Sequence, residues 1–139
     1  VTITVATDLQ AAVEEADIVS CATISSQPIV SGAWLKPGAH LDLVGAYTPA
    51  MRECDDAAVT RASLYVDTRT GGLKEAGDIV DPIRRGIIRA EDVRADLFDL
   101  CRGRQGGRAH SDEITLFKSV GTAIEDLAAA ILVWRSLPL

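Results

Sequence analysis

Three short segments of the chain carry the side chains most suited to ligand chemistry: Thr23, Gly45-Ala46-Tyr47 and Ser119-Val120. Each follows an apolar or β-branched run that is typical of a buried strand. Ligands of open parallel sheets bind just beyond the carboxyl ends of the strands. The sequence therefore predicts that these segments converge on one small-molecule site.

The chemistry of these segments suits a flat or anionic ligand. Gly45 lets a planar group come close to the backbone. Ser119-Val120 opens a helical pattern, whose free N–H groups and dipole favour a phosphate or a carboxylate. Each segment also has a plainer interpretation: Gly45-Ala46 as a tight turn, Ser119 as a helix cap, and Tyr47 as a surface aromatic.

Other reaction types have little support in the sequence. His40 and His110 stand alone, without a nucleophile motif or paired metal ligands, so we expect no hydrolase triad and no metal site. Lys118 is expected to be an exposed amine. We expect Arg52 and Glu53 to pair with each other in solvent, where an ion pair contributes little.

The organising element is the stretch HLDLVGAYTPAMRE, in which the apolar run of residues 41–44 is broken by Gly45. Further strands are predicted from β-branched or apolar patterns, at residues 1–6, 17–22, 64–67 and 113–117. Helices are predicted from apolar residues at helical spacing, at residues 9–16 with Asp8 as N-cap, 54–62 with Asp55 as N-cap, 90–100 and 120–137. Strands that alternate with helices indicate an α/β fold of the doubly wound, parallel type.

Two regions between these elements are less regular. Ile79, Ile83 and Ile87 suggest a short helix that Pro82 interrupts, after a turn-rich link over residues 68–77. Residues 101–111 form a basic, glycine-rich loop. This loop is expected to be solvated rather than phosphate-binding, because its glycines do not lie between a strand and a helix.

Composition narrows the class of protein. The chain has 139 residues, of which 47% are apolar, and a net charge of −6. An acidic chain lacks the clustered basic residues that nucleic acid requires, and its longest apolar run is too short to span a bilayer. The cysteines (Cys21, Cys54 and Cys101) are odd in number and far apart, which favours free, buried thiols and a cytoplasmic location.

Three motifs, ADIVSCAT, WLKPGAHLDLVGAYTPAMRE and EITLFKSVGTAIEDLAAA, occur in this order. In them the chain resembles the ornithine cyclodeaminase/μ-crystallin family, and in VGAYTPAMRE with LFKSVG its Δ1-pyrroline-2-carboxylate reductase-like branch. The resemblance covers nearly the whole chain. It implies a Rossmann-type sheet that binds NAD or NADP at its strand ends, and reduction of a cyclic imino acid. It leaves open two alternatives: NAD-dependent ornithine cyclodeaminase, or a non-catalytic μ-crystallin-like ligand-binding protein.

The resemblance also implies roles for individual residues. A cofactor-binding role falls on Thr23, Val44, Gly45, Ala46 and Ser119, and a substrate-binding role on Val120. Tyr47 replaces an Asp that acts in true ornithine cyclodeaminases, and Met51 replaces a Lys that meets the cofactor there. A tyrosine phenol cannot act as that carboxylate at neutral pH, which disfavours ornithine cyclodeamination. In the reductase interpretation, Tyr47 is assigned as the catalytic residue.

The same resemblance bears on domain organisation. We expect residues 1–118 to be the C-terminal part of an incomplete Rossmann domain, with the glycine-rich phosphate loop upstream of Val1. Residues 119–139 are expected to form a long helix that returns to a substrate and dimerisation domain, giving a homodimer in the full-length protein. The apolar face of this helix (Ile124, Leu127, Ile131 and Trp134) should then be partly exposed in this chain.

Overall fold

A five-stranded parallel sheet with strand order β1-β2-β5-β3-β4 forms the centre of the molecule. The computed structural model describes residues 2–137. The strands are β1 (Ile18–Cys21), β2 (His40–Leu43), β3 (Ser63–Val66), β4 (Val93–Asp96) and β5 (Thr115–Lys118). The helices are α1 (Leu9–Glu15), α2 (Asp56–Arg61), α3 (Arg69–Gly72), α4 (Gly77–Arg84), α5 (Leu97–Cys101) and α6 (Ala123–Ser136). This architecture confirms the predicted α/β fold and the predicted caps Asp8 and Asp55.

The last strand, β5, is inserted between β2 and β3 and brings distant parts of the sequence side by side. In register, Leu43 pairs with both Cys21 and Lys118, and Lys118 also pairs with Val66. The core is an apolar layer on one face of these strands, formed by residues at most 1% exposed: Leu41, Leu43, Leu64, Val66 and Leu116. The layer holds the carboxyl ends of four adjacent strands level with one another.

The prediction of a strand at residues 1–6 is wrong for its described part, residues 2–6; Val1 lies outside the described residues. Ile3 and Val5 are about 90% exposed (89% and 91%) and lie in no strand. A strand depends on backbone hydrogen bonds to a neighbour, and none of the described strands pairs with this segment. Alternating β-branched residues alone do not stabilise it.

The prediction of a helix over residues 90–100 is also wrong. The segment is a 3-10 turn (Ala90–Asp92), then β4, then the start of α5. Buried Val93 and Ala95 flank exposed Arg94, which is the period of a strand. Helical spacing of Val93, Leu97 and Leu100 arose because a strand and a helix follow each other directly.

Two further expectations are corrected in the same half of the chain. Pro82 lies inside the continuous helix α4 and does not interrupt it, and both Ile79 and Pro82 are buried. Ile87 lies beyond the end of this helix. Among the cysteines, Cys21 and Cys54 are buried as expected, whereas Cys101 is exposed on α5; all three are free.

Candidate functional site

The carboxyl ends of β1, β2 and β5 meet as the sequence predicted. The backbone N–H of Val44 donates to the Cys21 carbonyl at 2.8 Å, and the N–H of Ser119 donates to the Leu43 carbonyl at 2.9 Å. These bonds extend the sheet ladder by one residue beyond the strands. They bring together the segments around Thr23, Gly45 and Ser119.

A buried carboxylate that was expected to lie in solvent joins two of these segments. Glu53 is fully buried. Its Oε1 accepts hydrogen bonds from the Thr23 N–H (2.6 Å) and hydroxyl (2.9 Å), and its Oε2 accepts from the N–H groups of Gly45 (2.8 Å) and Ala46 (3.2 Å). Both oxygens are therefore used, one for each loop.

The expected solvent pair of Arg52 with Glu53 is wrong. Arg52 is only 8% exposed and turns the other way, toward Asp81 at 2.8 Å and Asp56 at 3.1 Å. The Glu53 side chain thus reaches the loops at the strand ends, whereas the Arg52 side chain reaches α2 and α4. The sequence contained no signal that distinguishes these two directions.

The missing side chain of Gly45 allows a close contact within the chain itself. A Cβ at this position would overlap the Thr23 backbone and the Glu53 carboxylate. The space left by its missing side chain is therefore filled by the neighbouring loop and not by a ligand. Gly45 allows the loops after β1 and β2 to touch each other.

Lys118, expected to be exposed, is fully buried beneath the strand ends. Its ammonium donates to the Leu43 carbonyl at 3.1 Å and lies 4.0 Å from Asp78 Oδ2. Burial lowers the pKa of Lys118 and raises that of Asp78, since desolvation disfavours both charged forms. Together with Arg52 and Glu53 they form a buried cluster of two cations and two anions.

Asp78 links this cluster to the backbone. Its Oδ1 accepts hydrogen bonds from the N–H groups of Glu53 (2.8 Å) and Cys54 (3.1 Å). Asp78 is an acidic residue in the first turn of α4, where negative charge is favourable. The position of Glu53 is thereby fixed by α4, a helix that itself lies outside the strand-end loops.

The anion site predicted at Ser119-Val120 is already filled by the chain itself. Asp67, at the end of β3, accepts from the Ser119 hydroxyl (3.1 Å) and from the N–H groups of Val120 and Gly121 (2.8 Å each). Helix α6 begins later, at Ala123, with a capping box of Thr122 and Glu125. Ser119 is therefore not its cap. Sequence reasoning missed Asp67; its position as the polar last residue of the strand predicted at residues 64–67 is the signal that could have identified it.

Two side chains of the predicted site are exposed at this edge of the sheet, while Thr23, Ser119 and Val120 are partly buried. Val44 is 44% exposed and Tyr47 is 49% exposed. The N–H of Tyr47 donates to the Gly45 carbonyl at 2.7 Å, so the Tyr47 backbone is bonded to the segment that Glu53 holds. The edge thus offers an apolar side chain and a phenol on a fixed backbone.

Metal-binding and membrane-spanning features are absent from the described part of the chain. Residues 2–137 contain no group of three or more His, Cys, Asp or Glu side chains that would hold a metal ion. Within the same residues, no helix has both the length and the apolar character needed to cross a membrane.

The sequence matches one family of known proteins along most of its length. The sequence model of the ornithine cyclodeaminase/mu-crystallin family matches residues 1–137. The Delta(1)-pyrroline-2-carboxylate reductase of Paracoccus denitrificans is 49% identical over 92% of this chain and 40% of its own length. The mouse (Mus musculus) ketimine reductase mu-crystallin is 42% identical over 95% of this chain and 39% of its own length.

A solved structure also resembles this chain in fold. Thermococcus litoralis Delta(1)-pyrroline-2-carboxylate reductase, solved with NADH and L-proline, superposes with a TM-score of 0.87 at 39% identity. The match covers 91% of this chain and 39% of that chain. This chain thus spans about 40% of the length of the Paracoccus and mouse relatives.

Proposed function

Because the chain belongs to the ornithine cyclodeaminase/mu-crystallin family, we propose that it forms part of an NAD(P)H-dependent reductase of a cyclic imino acid such as Δ1-pyrroline-2-carboxylate. The observation that carries this proposal is the strand-end edge, where Glu53 holds two loops together and leaves Val44 and Tyr47 half exposed. The names of the relatives support the reaction, and the complex of the Thermococcus litoralis protein with NADH and L-proline supports the ligands.

The residues at this edge fit a nicotinamide dinucleotide. Val44 offers an apolar surface to a flat ring, and Thr23 and Ser119 flank it on the neighbouring strand ends. Gly45 and Ala46 contribute through the shape of the backbone, since their N–H groups are bonded to Glu53. Val120, half-buried in the next loop, is assigned to the substrate.

A reduced nicotinamide held at this edge would supply the hydride that the carbon of the C=N bond accepts. Tyr47 is the catalytic residue of this chain, and its hydroxyl donates a proton to the imine nitrogen. The hydrogen-bonded backbone around Gly45 fixes the point from which the phenol extends, which reduces the entropy lost when the reacting groups meet. Asp67 holds the Ser119-Val120 loop against the same edge.

We propose the same domain organisation as the family resemblance implied. Residues 1–118 belong to the dinucleotide-binding domain, and residues 119–139, which include α6, return to a substrate domain in a cytoplasmic homodimer. The exposed apolar face of α6 supports this proposal: Ile124 is 63%, Leu127 58% and Trp134 71% exposed. Several exposed apolar side chains on one face of a helix are unfavourable in water and favour contact with a partner surface.

The test is a comparison of substrates in the full-length protein. Oxidation of NADH or NADPH is followed with Δ1-pyrroline-2-carboxylate, and ornithine deamination is measured in parallel with NAD. We expect imine reduction to give the amino acid, with no ornithine deamination. Deamination without imine reduction would establish a cyclodeaminase, and binding of nucleotide without either reaction would establish a non-catalytic protein.

A further inference from the structure

We propose that Glu53 is the positioning residue of the cofactor site, and that it acts by tying the loop after β1 to the loop after β2. The inference rests on the proposed cofactor site. Glu53 does not touch the accessible edge itself, because its side chain is fully buried. It acts through the backbone of Thr23, Gly45 and Ala46.

The division of hydrogen bonds between the two carboxylate oxygens carries the argument. Oε1 accepts only from Thr23, while Oε2 accepts only from Gly45 and Ala46. The carboxylate is thus a bridge with one oxygen for each loop. Shortening the side chain or replacing one oxygen by an amide would break one half of the bridge and leave the other.

Joining β1 to β2 does not itself require this carboxylate. The strands already pair over four residues, and the Val44 N–H continues the ladder to the Cys21 carbonyl. Burying a carboxylate is costly unless it is fully hydrogen-bonded and balanced by charge. Four groups donate hydrogen bonds to Glu53: the N–H groups of Thr23, Gly45 and Ala46, and the Thr23 hydroxyl. The buried cations Lys118 and Arg52 balance the two buried anions of the cluster.

The position of Gly45 provides an independent observation. Any side chain there would overlap both Thr23 and Glu53, so the two loops are in direct contact at this point. Glu53 holds the Gly45-Ala46 segment, and the exposed residues Val44 and Tyr47 lie directly on either side of it. A change in the hydrogen bonds between Glu53 and the two loops therefore shifts the residues that face the cofactor.

The test uses Glu53→Gln in the full-length protein, because glutamine keeps the volume and loses one of the two acceptors. NADH affinity is measured by titration calorimetry. We expect the affinity to fall about tenfold to a hundredfold, the range expected when supporting groups shift the residues that hold a ligand. If the wild-type protein reduces the imine, a second measurement is available. We then expect the Glu53→Gln variant to show a larger primary deuterium isotope effect on kcat with deuterated NADH than the wild type, since a misplaced nicotinamide ring slows hydride transfer.

Glu113→Gln is the matched control. Glu113 is also a buried carboxylate with several donors, including Arg94 at 2.6 Å, but it lies at the amino end of β5. This variant should lower the melting temperature and leave NADH affinity unchanged. A folded Glu53→Gln variant that binds NADH as tightly as the wild type would overturn the proposal.

If Glu53→Gln does not fold, Thr23→Val decides the question. Valine keeps the shape and removes only the hydroxyl that donates to Glu53 at 2.9 Å. We expect weaker NADH binding and faster amide exchange at Gly45 and Ala46; unchanged values for both would refute the proposal. A wild-type protein that binds NADH but reduces no cyclic imine would refute the proposed reaction alone, because the role of Glu53 is judged by NADH affinity.

Discussion

The Asp67 carboxylate at the end of β3 occupies the place of an anion in the loop that follows β5, where it accepts a hydrogen bond of 3.1 Å from the Ser119 hydroxyl. The same oxygen accepts from the N–H groups of Val120 and Gly121. Asp67 is 1% exposed, so these donors have exchanged water for one carboxylate. The loop assigned to cofactor and substrate is thus held by the strand beside it.

Replacing Asp67 by Ala should destabilise the fold by about 1 kcal/mol, because three partly buried donors lose a charged acceptor. The free energy of unfolding in urea measures this change. Ser119→Ala is the control, since it removes one of the three donors and should cost less. Equal stability of Asp67→Ala and the wild type would show that water replaces the carboxylate without cost.

Replacing Gly45 by Ala should also destabilise the fold, by about 1–3 kcal/mol, because the added methyl group forces the two loops apart. Gly106→Ala is the matched control, since a Cβ there meets no atom within 4 Å. Thermal unfolding of both variants distinguishes overpacking from a general effect of removing glycine. Similar melting temperatures for the two variants would contradict the close contact at Gly45.

Stability should depend on pH through Glu113. The Ser63 hydroxyl, the Ala109 N–H and the Arg94 guanidinium hold the pKa of Glu113 at about 2, below its ordinary 4.5. Since the folded pKa is the lower one, this stabilisation is present above pH 4.5 and is lost as the pH falls toward about 2. Unfolding free energies between these pH values should fall less steeply for Glu113→Gln than for the wild type. Parallel pH profiles would exclude Glu113 as the group responsible.

The proposed role of Tyr47 predicts a kinetic effect. Tyr47→Phe keeps the ring and removes the hydroxyl, and should lower kcat/KM for imine reduction by about 10²–10⁴-fold if the phenol donates the proton. The pH profile of kcat/KM is measured with the same substrate. Tyr47→Asp restores the carboxylate of the cyclodeaminases and tests for ornithine deamination. Unchanged kinetics in Tyr47→Phe would remove the phenol from the mechanism.

Local sequence patterns predicted much of the fold. Strands β1, β2, β3 and β5 and helices α1, α2 and α6 were expected near their observed positions, because apolar periodicity and capping residues act within a few residues of each other. The errors at residues 2–6 and at β4 have a different origin. Strand formation depends on pairing with a distant segment, and a short strand followed by a short helix imitates a longer helix.

The sequence by itself determined that Thr23, Gly45 and Ser119 follow strands and that such ends converge in a parallel sheet. Only the tertiary structure decided which charged groups lie beneath them. The side chains of Glu53, Asp78 and Lys118 are fully buried, although local sequence indicated exposure for Glu53 and Lys118. Burial of a charge depends on partners supplied by other parts of the chain, here the loops after β1 and β2 for Glu53 and the Leu43 carbonyl of β2 for Lys118. No local pattern records such partners.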